Sequence, residues 1–495
     1  MDCVEEITAE VDLKRASILS QEHAGKLPDK ETSNAPKDKY FLVRILFFFY
    51  GLNSMLPMTF FVVANDYWMY KFRNTNYTNW DPLHRTSIQI YFSSILSTAK
   101  AVPVMIVSLL AAKYIHKLHL RPRLLYSTLV ICAVFLSLTI FVVIDTDDWQ
   151  VMFLIVVVAL MTIQSMAGVI FRISHSRLLA RFPIIYQKFD MYGSGCSSLF
   201  SIFLQILSLA IGKDPQSSAL IFFVSGTTVI GIAFLLGLVS DHLQFYRYYV
   251  GDSSEDIKHP PKTFKQLLQA GYCIRHIIIQ LFFVLVCMTC TGPVTYLVVS
   301  EYYGNGNPWN EKYFVPVVTF LIHDLVGLVT KYFARPLMTL DSSTDCRCWY
   351  NNVLRIHDFY TLIDTPGHRA DKEVDILLGY LIPGYCKFRK NAKWFTLMVI
   401  LSKLTFVPLY FLCNAPTGSK RKIPILLPHD WQYITIVFTD SLCMMTLSGI
   451  CMLSTSKLTE GDKQKTEDSF IVISIMLGIL LAVTSPLGSL SVKLL

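Results

Sequence analysis

In the stretch FLIHDLVGLVTKYFARP, residues 320–336, a histidine, an aspartate and a lysine interrupt an apolar run of membrane-spanning character. The three side chains offer different chemistry. Asp324 can accept charge-assisted hydrogen bonds from hydroxyl groups, His323 can exchange a proton near neutral pH, and Lys331 can hold an anion or pair with a carboxylate. Asp324 and Lys331 are seven residues apart, which is two helical turns and roughly 10 Å of rise, so they share a helix face. Lys331 leans back toward Asp324 across Gly327, whereas His323 points about 100° away.

Further charges fall inside other apolar runs: Lys100, Lys403 and Asp440. A charge at bilayer depth costs on the order of 2.5–3.5 kcal/mol even on the lenient insertion scale, so such groups face a cavity or one another. With Asp324 and Asp440 against Lys100, Lys331 and Lys403, internal pairing is feasible. Lys100, Lys403, Asp440 and His323 are read as gating or helix-pairing residues. Asp324, deeper in its run, is read as lining the solute pathway. For Lys331 the structural alternative is snorkelling to the cytoplasmic interface.

The elements that must position these groups follow from composition. The chain has 495 residues, of which 53% are hydrophobic and only 16% charged. The apolar residues come in blocks of about 20, matching a hydrocarbon layer of roughly 30 Å, which predicts an all-α polytopic membrane protein. The blocks lie near 41–64, 87–112, 124–144, 150–171, 192–212, 217–240, 276–299, 314–335, 394–413, 432–454 and 468–491. We number these spans 1 to 11. Short alternating segments, the mark of a β-barrel, are not the pattern. Residues 1–40 are polar and read as a cytoplasmic tail with no cleavable leader.

Basic residues gather in the loops after spans 2, 4, 6, 8 and 10, with Arg172, Arg177, Arg181 and Lys188 assigned to the loop after span 4. The positive-inside rule then places the N-terminus in the cytoplasm and the C-terminus outside. The sequon at Asn76–Thr78 falls in the first outer loop and marks Asn76 for glycosylation, while SKRK at 419–422 runs against the assignment. The net charge of +8 serves topology and calls for no nucleic-acid partner. Almost all of the twelve cysteines sit in spans or cytoplasmic loops, so no disulfide framework is expected. CRC at 346–348 lacks partners at metal-ligand spacing, and no metal or cofactor is expected.

Six spans at 41–240, a cytoplasmic linker at 241–275 and five spans at 276–495 predict two bundles of the kind found in secondary carriers. A cytoplasmic insert at about 337–393 carries EVDILL, Glu373 to Leu378, which fits a sorting signal but more simply a short amphipathic turn. No phosphate-binding glycine loop appears, and neither HDLVG nor RIHD has the spacing of a catalytic site, so an enzyme is not expected. YGSGCSS at 192–198 is read as a close helix-packing segment.

Four segments carry a family resemblance: GLNSMLPMTFFVVANDYW (51–68), EKYFVPVVTFLIHDLVG (311–327), WFTLMVILSKLTFVPLYFLCN (394–414) and LPHDWQYI (427–434). In this order, within an eleven-span layout, the chain resembles a divergent member of the equilibrative nucleoside transporters. The resemblance implies a major-facilitator-like fold of six plus five helices, working by facilitative alternating access on a neutral nucleoside or nucleobase. It implies that Asp324 hydrogen-bonds the ribose hydroxyls, with Met55, Met58 and Thr59 shaping the pocket from span 1. Departures are specific. Leu328 stands where an arginine is common, Met58 and Thr59 replace tryptophan and asparagine, and Lys403 and Asp440 replace arginine and asparagine. Ala167 stands for a glutamine that Gln164, one turn away, would replace. Lys331 would supply the missing cation. The lipid bilayer is the other partner, and the plasma membrane is the expected residence. A proton-coupled or endolysosomal carrier is the alternative that His323, Asp440 and EVDILL support. The lost arginine, tryptophan and glutamine support a non-transporting receptor or scaffold.

Overall fold

The computed structural model describes residues 36, 38–75, 85–114, 119–179, 181–212, 214–250, 269, 271–326, 388–416, 421–443 and 463–495. Asn76, Gly327, Leu328, Lys331, CRC and EVDILL, and most of the tail, linker and insert, lie outside the described residues. The described chain is all-α, and eight of its helices are long and apolar enough to cross a membrane. Spans 1 to 7 are Leu42–Val63, Ser87–Tyr114, Leu120–Val143, Gln150–Leu179, Ile184–Ile211, Pro215–Ser240 and Arg275–Thr295, and span 11 is Lys463–Leu494. Shorter apolar helices at Val315–Val326 and Ile400–Phe411 occupy spans 8 and 9. Helix at 430–443 occupies the start of span 10.

Local chemistry sets several boundaries. Span 6 starts where the Asp214 carboxylate accepts from the Ser217 amide at 3.0 Å, with Pro215 following the cap. Span 9 ends where Arg421 folds back, its guanidinium donating to the carbonyls of Phe411 (2.9 Å), Cys413 (3.0 Å) and Ala415 (2.5 Å). That contact explains why a basic residue sits in SKRK on the side assigned to the outside. Arg421 closes the span 9 C-terminus, where orphan carbonyls favour a cation.

Two expectations are corrected here. Span 4 does not stop near 171 but continues to Leu179, so Arg172 and Arg177 belong to a helix and not to a loop. Nothing between Gly168 and Pro183 breaks a helix, and the apolar Phe171 and Leu178 are fully buried along the extension. Span 5 likewise opens directly after Pro183, which draws Lys188 into it.

Buried apolar side chains form two main clusters, one from Val43 to Val250 and one from Val294 to Leu495. Within the first, spans 1 and 5 meet closely. A Cβ at Gly193 would lie 1.9 Å from the Phe48 carbonyl oxygen, and one at Gly51 would lie 2.2 Å from that of Asp190. Glycine there lets two backbones touch, as small residues do in membrane helix pairs. Spans 2 and 11 also meet, with Thr98 Oγ1 donating to the Ser485 carbonyl at 3.4 Å.

Candidate functional site

The polar side chains inside the spans sort into pairs and exceptions. Asp324 is partly accessible, and its carboxylate lies 3.0 Å from His323 Nδ1. Although the 100° spacing sets the two residues on different sides of a helix, the His323 ring leans over its neighbour. The chain leading to these residues is wound as π-helix at Trp309–Tyr313 and Val315–Leu321, so the 3.6-residue register assumed from sequence does not hold before Ile322. On that segment Thr319 Oγ1 and the Tyr433 hydroxyl lie 2.9 Å apart, tying span 8 to span 10.

Lys403 and Asp440 form an ion pair between spans 9 and 10, with Lys403 almost fully buried. The Tyr410 hydroxyl donates to the second Asp440 oxygen at 3.3 Å. Buried charge is tolerated in this form, with the cation, the anion and a further hydrogen bond in contact.

Met55 and Met58 are among the exposed apolar residues of span 1, on the side opposite its buried face. Thr59 lies between them and span 5, its hydroxyl 2.9 Å from that of Ser201. Gln164 is buried, and its side-chain oxygen has no hydrogen-bond partner among the described residues. Ala167 is buried as well. Lys100, near the middle of span 2, is partly accessible.

Three features were not anticipated. His175 Nε2 lies 2.6 Å from the Asp190 carboxylate, inside a cage of Phe47, Tyr50 and Phe171. Arg172 was assigned to a loop, although the unbroken helical run through it was visible in the sequence. Third, a small pocket at the end assigned to the outside is lined by Asn65, Asp66 and Arg85 on one side and by Tyr296, Ser300 and Glu311 on the other. Arg85 Nη1 donates to the Leu297 carbonyl at 3.0 Å and to that of Pro416 at 3.5 Å, and Asn65 Nδ2 reaches the Tyr296 carbonyl at 3.5 Å. Burial pushes the Asp66 carboxyl up to about 7, against the opposing pull of Lys312. The same burial lowers Arg85 to about 10. Below this seam Asp430 accepts from the Ser300 hydroxyl at 2.6 Å and the Glu301 amide at 2.9 Å, which fastens LPHDWQYI to the loop after span 7.

A family model described as "Nucleoside transporter" matches residues 155–363 and 374–485, more than half of the chain. The chain belongs to the nucleoside transporter family. It is similar to equilibrative nucleoside transporter 3 of Rattus norvegicus, at 25% identity over 86% of this chain and 83% of that protein. Similarity to equilibrative nucleoside transporter 1 of Homo sapiens is 22% over 91% and 97%, and to equilibrative nucleoside transporter 2 of Rattus norvegicus 25% over 82% and 87%. With these relatives and its eight long apolar helices, the chain is an integral membrane protein of the nucleoside transporter family.

Proposed function

We propose that this protein carries nucleosides, and nucleobases as a related class, across a membrane by facilitative alternating access. The six-span unit at 41–240 rocks against the five-span unit at 276–495. The observation that carries the reading is a partly accessible carboxylate, Asp324, in contact with His323 on a short apolar helix of a chain of this family. An ionised carboxylate accepts two charge-assisted hydrogen bonds, which suits a ribose diol. In this reading Met55, Met58 and Thr59 of span 1 supply the apolar and hydroxyl contacts of the pocket, and Gln164 a buried amide. The Lys403–Asp440 pair holds spans 9 and 10 together while the five-span unit moves as a body.

The contacts of Arg85 with Leu297 and Pro416 close the outer end in this state, so opening outward requires that they break. The carrier needs no cofactor and performs no catalysis; its partners are the solute and the lipid bilayer, and its residence is the plasma membrane. Uptake of labelled nucleosides by cells lacking their own carriers tests the reading, with Asp324→Ala as the control. A second reading, proton-coupled transport in an acidic compartment, is favoured by Asp66, whose carboxyl titrates at about 7 within the outer seam.

A further inference from the structure

Spans 1 and 5, whose backbones touch where Gly193 abuts Phe48 and Leu52, are joined by side chains two turns further on. There the Thr59 hydroxyl of span 1 lies 2.9 Å from the Ser201 hydroxyl of span 5. Ser201 is fully buried, whereas Thr59 is half-buried beside the exposed Met55 and Met58, so Thr59 is the accessible member of the pair. Span 5 also meets span 8 at the π-wound stretch Val315–Leu321, one turn before Asp324.

The two hydroxyls bring two hydrogens, and the protein has a place for both. Ser201 Oγ donates to the Ser197 carbonyl at 2.8 Å, and Thr59 Oγ1 donates to the Leu56 carbonyl at 3.0 Å or to Ser201. The Met55 carbonyl, at 3.5 Å, is a weaker alternative for Thr59. A solute that donates to Thr59 leaves both hydrogens in these bonds. A solute that accepts from Thr59 draws away a hydrogen already in use, and one internal hydrogen bond is forfeited. A net hydrogen bond is worth on the order of fivefold in an equilibrium. Thr59 therefore presents an acceptor. Threonine in a helix divides between two χ1 rotamers, and the contact with Ser201 holds Thr59 in one of them.

We propose that Ser201 is a positioning residue and that Thr59, held by it, selects solutes whose base carries a ring N–H, as the uracil and hypoxanthine nucleosides do. The inference rests on the carrier reading above, with Thr59 in its pocket, and names a substrate class for it.

The test uses the full chain in cells lacking nucleoside carriers of their own. Uptake of uridine is compared with that of N3-methyluridine, in which a methyl group replaces the ring N–H. The wild type should prefer uridine by about fivefold or more at low solute concentration. The preference is a ratio within one variant, so differences in surface amount or stability cancel. Thr59→Val keeps the shape of the side chain without its hydroxyl and should lower the preference by about fivefold, any bias from the bulk of the methyl group being common to both proteins. Ser201 keeps its bond to Ser197 in that variant. Ser201→Ala should lower the preference by roughly twofold, as Thr59 is released between its two rotamers, and Ser201→Thr, which retains a hydroxyl, should keep it. Uridine uptake with no preference in the wild type, or with one unchanged in Thr59→Val, would overturn selection by Thr59 and leave the carrier reading standing. A preference lost in Thr59→Val but intact in Ser201→Ala would overturn the role of Ser201. Uptake of neither solute by the wild type would overturn the carrier reading, and this inference with it.

Discussion

The Lys403 ammonium of span 9 is paired with the Asp440 carboxylate of span 10, and the Tyr410 hydroxyl donates to that carboxylate's other oxygen at 3.3 Å. Removing one member of a buried pair strands the other, which costs more than removing both. Lys403→Met is expected to destabilise the protein by about 3–5 kcal/mol, and Lys403→Met with Asp440→Leu by clearly less. Thermal unfolding of the purified single and double variants measures this. Equal losses in the two would show that the pair does not hold the spans together.

Spans 1 and 5 are joined by glycine at two levels. Since a Cβ at Gly193 would fall 1.9 Å from the Phe48 carbonyl oxygen, a backbone atom that cannot swing aside, Gly193→Ala must part the helices. A loss of about 1–3 kcal/mol is expected. The same change at Gly195, where the added carbon meets nothing within 4 Å, should have little effect, so the two variants compared in one melting experiment isolate the contact.

The outer seam should respond to pH. With the end closed, the Asp66 carboxyl titrates at about 7, and once the end opens into water it returns toward the ordinary carboxylate value of about 3.9. The closed form thus binds the proton more tightly. Between about pH 4 and 7 acid favours closure, and closure weakens as pH rises through 7 because the ionised carboxylate must be kept from water. Lys312 moderates the effect, while Glu311 and Arg85 line the same pocket. A cysteine introduced at Met69, buried in this pocket, should gain more reactivity toward an impermeant thiol reagent between pH 5.5 and pH 8 than a fully exposed cysteine gains from thiolate formation alone. Asp66→Asn should bring the gain down to that of the exposed cysteine; an excess that survives the substitution would assign the response to another group.

His323 orients the Asp324 carboxylate from 3.0 Å. Loss of that contact should impair nucleoside uptake less than loss of Asp324 itself, since the carboxylate remains and only its direction is released. Uptake kinetics of His323→Ala against His323→Gln, which keeps a donor, should show partial recovery in the second. Equal activity in wild type and His323→Ala would remove the histidine from the site.

Much of the architecture was legible because a bilayer leaves few options: each apolar block of about 20 residues must be helical. Asp324 stood out for the same reason, being a carboxylate where charge is costly. Other features depended on tertiary contacts. Nothing in the spacing of Lys403 and Asp440, 37 residues apart, places them together, nor does the stretch Val315–Leu321 announce π winding. The loop assignment of Arg172 arose from treating basic residues as topological markers, when the absence of a helix breaker before Pro183 already carried the helix through them. His175 and Asp190 went unread because they join different spans inside an aromatic cage that no local pattern reveals.

Flux through Asp324 tests the central claim most directly. In cells without nucleoside carriers of their own, the wild-type chain should take up labelled adenosine, uridine or inosine. Asp324→Ala, present at the surface in equal amount, should lose about tenfold or more of that flux as the charged hydrogen bonds to the ribose are lost. Equal flux in wild type and variant would contradict the assignment of Asp324, and no flux of any nucleoside, nucleobase or nucleotide in the wild type would contradict the carrier itself.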